Sequence, residues 1–159
     1  MIGFDYGTSN CAVGVMKNGQ PKILSLGDHG RFIPSTLYAP SRDVIVHWLY
    51  DRLTPSDKAR FKALRPQQLQ KAQHTLRELA LDDISPELFF GEPALSRYLE
   101  DPEEGYYIKS PKSFLGASGL VDAQINLFED IVAAMMLNIK RLAENAEQRD
   151  LTKAVIGRP

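Results

Sequence analysis

Residues 120–147 most narrowly limit what this chain can fold into. Val121, Ile125, Phe128, Val132, Met135, Ile139, Leu142 and Ala146 recur at steps of three and four, which places them on one face of an α-helix. A coiled-coil seam has the same steps. Ala133, Ala134, Met136 and Leu137 widen the apolar face beyond such a seam. The pattern therefore predicts a long helix packed on a sheet.

Strands for that sheet are found near both ends. Met1–Phe4 is apolar, Asp5–Asn10 is a polar turn, and Cys11–Met16 is apolar again. Asn18-Gly19 is a strong hairpin signal, and Lys22–Leu26 follows as a third strand. This is a β-meander with a polar loop at its tip. Lys153–Gly157 has a buried-strand pattern. Residues 27–40 read as loop, with Ile33-Pro34-Ser35 marking a break before the apolar Thr36–Ala39.

From Pro40 to about Pro86, Gln, Lys, Arg and Leu dominate and strand signals fade. Pro55 and Pro66 each stand where a first helical turn begins. Leu69, Ala72, Leu76 and Leu79 predict a helix over 66–81. Shorter helices are expected over 43–53 and from Glu92-Pro93-Ala94 to about Leu99. The chain has no internal repeat and no low-complexity tract.

Charge and cysteine content narrow the functional classes. Nineteen Lys and Arg stand against 20 Asp and Glu, which argues against nucleic acid as the partner. Cys11 is the single cysteine, so no intrachain disulfide can form. His29, His47 and His74 are far apart, which argues against a structural metal site. No leading apolar run and no 18-residue apolar stretch is present, so a cytoplasmic protein that does not span a membrane is expected. Hydrophobic residues at 43% and charged residues at 25% are ordinary globular values.

Two segments could carry chemistry. In Phe4-Asp5-Tyr6-Gly7-Thr8-Ser9-Asn10, an Asp near a strand end precedes a tight turn of Gly, Thr and Ser. Successive N–H groups in such a turn can form an anion-binding nest, with the hydroxyls as further donors. Asp5 is placed to hold a magnesium-bound water. An ordinary hairpin with Asx-type turn chemistry has the same composition. It is not a Walker A loop, because no Gly-Lys-Ser/Thr follows. The second segment is Lys109-Ser110-Pro111-Lys112-Ser113-Phe114-Leu115-Gly116. A lysine there could act as a point charge on a phosphoryl group. A solvated surface turn would look the same. The acidic residues Glu87, Glu92, Glu100, Asp101, Glu103 and Glu104 read as solvated surface. Trp48, Tyr50, Tyr106 and Tyr107 read as core or surface aromatics, and Cys11 as an inert buried thiol.

Four pieces in order resemble the nucleotide-binding domain of the 70-kDa heat-shock protein family, the DnaK-like chaperones. Ile2–Asn10 looks like the first phosphate loop. Arg31-Phe32-Ile33-Pro34-Ser35 looks like the segment that follows it. Phe90-Gly91-Glu92-Pro93-Ala94 through Lys112-Ser113-Phe114-Leu115-Gly116 looks like the stretch ending at the catalytic lysine. Val121–Pro159 looks like the long helix and the strand behind it, closing on Val155-Ile156-Gly157-Arg158-Pro159. Phe4–Thr8 and Lys109–Gly116 both look like the divergent YegD-like branch of short bacterial homologues.

The resemblance implies an α/β chain with the ribonuclease-H-like fold of actin-like ATPases, lobe I only. Subdomain IA would be 1–38 plus 118–159, a mixed five-stranded-type sheet with the long helix packed on it. Subdomain IB would be 39–117, with a surface-facing helical insertion over about 41–86. The implied cofactors are ATP and magnesium. Asp5 would act through water on magnesium, Gly7, Thr8, Ser9 and Asn10 would cradle the phosphates, and Lys112 would be the catalytic lysine. Lys109 is out of that register. Implied partners are ATP or ADP and, through a full-length parent, unfolded polypeptide or co-chaperones in the stress response.

Ser113 departs from the arginine usual at its position. Lobe II, the second phosphate loop and the adenosine pocket are missing from the 159 residues, so a truncated, inactive fragment is expected. The first lobe of a sugar kinase of the same superfamily, or a non-enzymatic interaction module docking through 41–86, are the other readings.

Overall fold

The computed structural model of the chain describes residues 1–157. Arg158 and Pro159, the end of the expected closing segment, lie outside the described residues. Strand β1 (Ile2–Tyr6) alternates, with Ile2, Phe4 and Tyr6 buried and Gly3 and Asp5 exposed. This period of two is that of a sheet with one covered face. Strand β2 (Asn10–Lys17) runs back antiparallel, with Phe4 opposite Val13 and Tyr6 opposite Cys11. Asn18 and Gly19 both have positive φ, 53° and 77°, as a two-residue hairpin of the favoured twist requires. They turn the chain into β3 (Gln20–Ile23). The two-residue β4 (Ile33–Pro34) adds to the other end of β2, with Asn10 opposite Pro34 and Cys11 opposite Ile33.

The chain closes this sheet from its far end. Strand β8 (Ala154–Ile156) pairs parallel to β1, so the order is β3-β2-β1-β8, with β4 also beside β2. The result is a five-stranded mixed sheet. A second sheet, β6-β5-β7, is built from β5 (Thr36–Ala39), β6 (Phe89–Phe90) and β7 (Tyr106–Lys109), all antiparallel. The change of sheet falls at Ser35. The fold is thus mixed α/β, and no helix among the described residues is long and apolar enough to cross a membrane.

Helix α5 (Asp122–Glu147) is the expected long helix, but of the expected stripe only Met135 and Ile139 are buried, Phe128, Val132 and Leu142 are partly buried, and Val121, Ile125 and Ala146 are exposed. Ile131, Ala134, Met135, Ile139 and Ala143 are buried in one core with Ile2, Phe4, Tyr6 and Val13. Burying each of the larger side chains stabilises the fold by about 1.5–3 kcal/mol. The Tyr6 hydroxyl donates to Met135 Sδ at 3.5 Å, tying strand to helix. At the helix start, Gln124 Oε1 accepts from the Val121 amide at 3.1 Å. Val121 has no side-chain acceptor, and its backbone carbonyl accepts from the Gln124 amide at 2.8 Å instead.

Helices fill 41–86 as expected. These are α1 (Arg42–Arg52), α2 (Pro55–Leu64) and α3 (Pro66–Leu81), and a fourth, α4 (Glu92–Glu100), follows β6. Ser41 and Thr54 cap α1 and α2 by accepting from the amides of Asp43 and Asp57, each at 3.3 Å. Pro55 and Pro66 open their helices, where no amide partner is needed. The expectation of a wholly surface-facing insertion is corrected for α1. Val44, Ile45, Val46, Trp48 and Leu49 are buried, and most of them join the common core, because α1 packs against both α3 and α5. Helix α2 buries nothing fully and α3 only Ala72.

Candidate functional site

Gly7 sets the shape of the polar loop between β1 and β2. A Cβ there would stand 2.3 Å from the Asn10 carbonyl oxygen, closer than any side chain tolerates. Without one, the Gly7 amide donates to that same oxygen at 3.1 Å and closes the turn. The turn leaves Thr8, Ser9 and Asn10 exposed.

Four carbonyls of the loop are held by the protein. The Asn10 oxygen accepts from Gly7. The Ser9 oxygen accepts from the Ser35 amide at 2.8 Å. The Gly7 oxygen accepts from the Ser35 hydroxyl at 2.8 Å. The Tyr6 oxygen accepts from Lys112 Nζ, also at 2.8 Å. The amides of Thr8 and Ser9, by contrast, donate to no protein group among the described residues. A turn whose acceptors are engaged and whose donors are free has the polarity of an anion nest.

Lys112 reaches this loop because its own segment is pinned on both sides. Ser110 takes a left-handed conformation (φ 54°, ψ 53°) and its amide donates to the Ser35 carbonyl at 2.9 Å. Pro111 is buried and starts a short 3-10 turn through Phe114. Phe114 stacks on Phe128 of α5, with centroids 4.6 Å apart and planes 5° from parallel. Between these anchors Lys112 is half-buried, and one of its three N–H groups goes to Tyr6. Lys109 lies exposed at the end of β7, opposite Thr36. Ser113 is exposed.

The structure thus brings together three of the segments singled out in the sequence: the Asp5–Asn10 loop, Ile33-Pro34-Ser35 and Ser110-Pro111-Lys112. Ser35 is the residue that sequence reasoning underused. It is 1% exposed and links all three. Its signals were its place after the Ile-Pro break and at the end of the Arg31–Ser35 segment.

Asp5 is exposed on the uncovered face of β1. No three His, Cys, Asp or Glu side chains gather to hold a metal ion among the described residues. A single exposed carboxylate fits magnesium held through water, not an all-protein cage. Cys11 is fully buried, and since the Ser35 hydroxyl already donates to Gly7, the thiol donates to Ser35 Oγ at 3.3 Å. Burial is the main cause that pushes its pKa up. It is no nucleophile at neutral pH. Burial also pushes the Tyr6 phenol up.

The acidic residues from Glu87 to Glu104 are exposed, with Glu100 paired to Arg97. Trp48 packs on Phe90 in the core, centroids 5.3 Å apart, and Tyr107 stacks on Tyr98 at 4.7 Å. No family model matches the chain.

Proposed function

We propose that the chain is the first lobe of a nucleotide-binding domain of the DnaK-like 70-kDa heat-shock type, with a ribonuclease-H-like sheet, and that the loop Asp5–Asn10 receives the phosphates of ATP. The observation that carries this reading is the inward engagement of the loop carbonyls by Ser35 and Lys112. It leaves the Thr8 and Ser9 amides and hydroxyls, and the rest of the Lys112 ammonium, available to an anion. The sheet order, three antiparallel strands followed by a parallel one behind a long helix, supports the fold assignment.

In this reading Gly7 permits the close turn, and Thr8, Ser9 and Asn10 donate to phosphate oxygens. Lys112 stabilises charge on the terminal phosphoryl group. Asp5 orients a water of the magnesium ion, which supplies charge neutralisation when bound. The chaperone role, a cytoplasmic location and partners beyond the nucleotide belong to the same proposal.

Titration of the labelled chain with Mg-ATP, followed by amide chemical shifts, tests the site. Shifts should concentrate at Gly7, Thr8, Ser9 and Asn10, disappear in Gly7→Ala and persist in Lys109→Ala. Binding should be weak, since one lobe encloses little of the ligand. Shifts confined to other segments would sink the assignment, and a submicromolar Kd would sink the one-lobe reading.

A further inference from the structure

A cavity of about 380 Å³ opens well apart from the loop, between α1, the Pro86–Phe90 connection and α5. Its buried floor is the packed pair Trp48 and Phe90. Arg52 of α1 and Arg141 and Asn138 of α5 stand around it.

Two carboxylates, Asp51 and Glu87, also line the cavity, but neither forms an ion pair with Arg52 or Arg141. Asp51 is engaged by His47, Nε2 to Oδ2 at 3.1 Å. Glu87 is exposed on the rim and makes no ion pair among the described residues. Arg52 lies 4.1 Å over the Trp48 ring and donates through Nη1 to the Trp48 carbonyl at 3.1 Å. That contact suits the carbonyl end of α1 and uses one of five N–H groups. Arg141 forms no ion pair among the described residues. Its neighbours Lys140 and Glu144 pair with each other at 2.6 Å.

The two guanidiniums also feel one another. After burial, Arg141 is the next cause lowering the Arg52 pKa, and Asp51 offsets it only in part. Both guanidiniums are exposed, so water screens much of this repulsion. A planar guanidinium fork matches a two-oxygen edge of phosphate or carboxylate. Asn138, three residues before Arg141 on the same helix, adds a neutral amide.

We propose that this cavity is a second ligand site, which takes a phosphate-type oxyanion between Arg52 and Arg141 with the Asn138 amide as an additional donor. Phosphate is favoured over a single carboxylate because its four oxygens can accept from both guanidiniums and the Asn138 amide at once.

The chain has one tryptophan, and it forms the floor of the cavity, so its fluorescence reads this site directly. Inorganic phosphate is titrated at constant ionic strength into the wild-type chain, Arg141→Gln, Arg52→Gln and Lys112→Ala, each first checked for an unchanged circular dichroism spectrum. The wild type should give a saturable change in Trp48 emission. Arg141→Gln should raise the dissociation constant about tenfold or more, the loss typical of one charged hydrogen-bonding partner. Lys112→Ala should bind as the wild type does, which separates this site from the loop. Arg52→Gln should behave like Arg141→Gln; if it fails to fold, Arg141→Gln decides alone. A linear, unsaturable response in the wild type would overturn the proposal. So would unchanged affinity in Arg141→Gln, or an equal loss in Lys112→Ala. Malonate titrated in parallel should bind more weakly than phosphate; tighter malonate binding would overturn the phosphate assignment.

Discussion

Arg65, at the joint of α2 and α3, donates through Nε to the buried carboxylate of Asp130 on α5, 3.4 Å away. Its Nη2 reaches Glu129 at 2.8 Å. Both Arg65 and Asp130 are nearly inaccessible, at 8% and 3% exposure. This contact pins the otherwise outlying α2–α3 pair to the long helix.

The burial of Asp130 at this contact makes stability depend on pH. Burial raises the Asp130 pKa to about 6, against the attraction of Arg65 that lowers it. Unfolded, an Asp titrates near 3.8. The folded state therefore holds more protons between those values, and its stability should fall as pH rises from about 4 to about 6. The contribution is on the order of 2–3 kcal/mol. Urea unfolding of the wild type and Asp130→Asn at pH 4.5 and 7.5 checks this. The variant should gain relative to the wild type at the higher pH. A constant difference between the two proteins would show that Asp130 does not titrate in this range.

Gly7→Ala should destabilise the chain by about 1–3 kcal/mol, the usual cost of forcing a methyl group into filled space. The clash is with backbone, the Asn10 carbonyl, so no side-chain rotation relieves it. Thermal melts measure the loss. The same variant should lose the Mg-ATP shifts, because the turn that frees the Thr8 and Ser9 amides would be broken.

In a two-lobed protein containing this lobe, Lys112→Ala should slow single-turnover ATP hydrolysis by about a hundredfold or more. Nucleotide affinity should change little, since the other contacts remain. Lys109→Ala is the control for charge on the same segment, and it should leave the rate near normal. Equal losses for the two lysines would count against the role given to Lys112.

Hydrogen exchange should separate α1 from its neighbours. Helix α1 contributes five buried side chains and should exchange as slowly as β1 and β2. Helices α2 and α3 should exchange faster, since they bury almost nothing fully. Uniform protection across all three helices would mean that they open only with the whole fold.

The elements read correctly from sequence are those whose signal is local. Asn18-Gly19 is favoured by the backbone angles of its own turn. Pro55 and Pro66 mark helix starts because the missing amide costs nothing there. The α5 stripe is periodic because one face meets the sheet and the other meets solvent. Helix α1 is harder to read: flanked by α3 and α5, it is apolar on more than one side, and its period blurs. Strand β7 was hidden because its partner, β5, is nearly seventy positions away. The candidate site divides in the same way. The loop residues Gly7 to Asn10 announce themselves by composition. The delivery of Lys112 depends on Ser35, Pro111 and Phe128, three contacts that no local pattern encodes. The Arg65–Asp130 contact had no sequence signal at all.

Strand β1 lies between one partner that is adjacent in sequence and another, β8, roughly 150 positions later. On a ribosome adding about 5–20 residues per second, that interval lasts roughly 8–30 s. Throughout it the edge of β1 that β8 will occupy is open, and the apolar side chains that α5 will cover have no lid. An unpaired strand edge beside exposed Ile2, Phe4 and Tyr6 is a template for pairing with another chain. The topology that places β8 so far from β1 thus leaves the nascent protein prone to aggregate until β8 has been made.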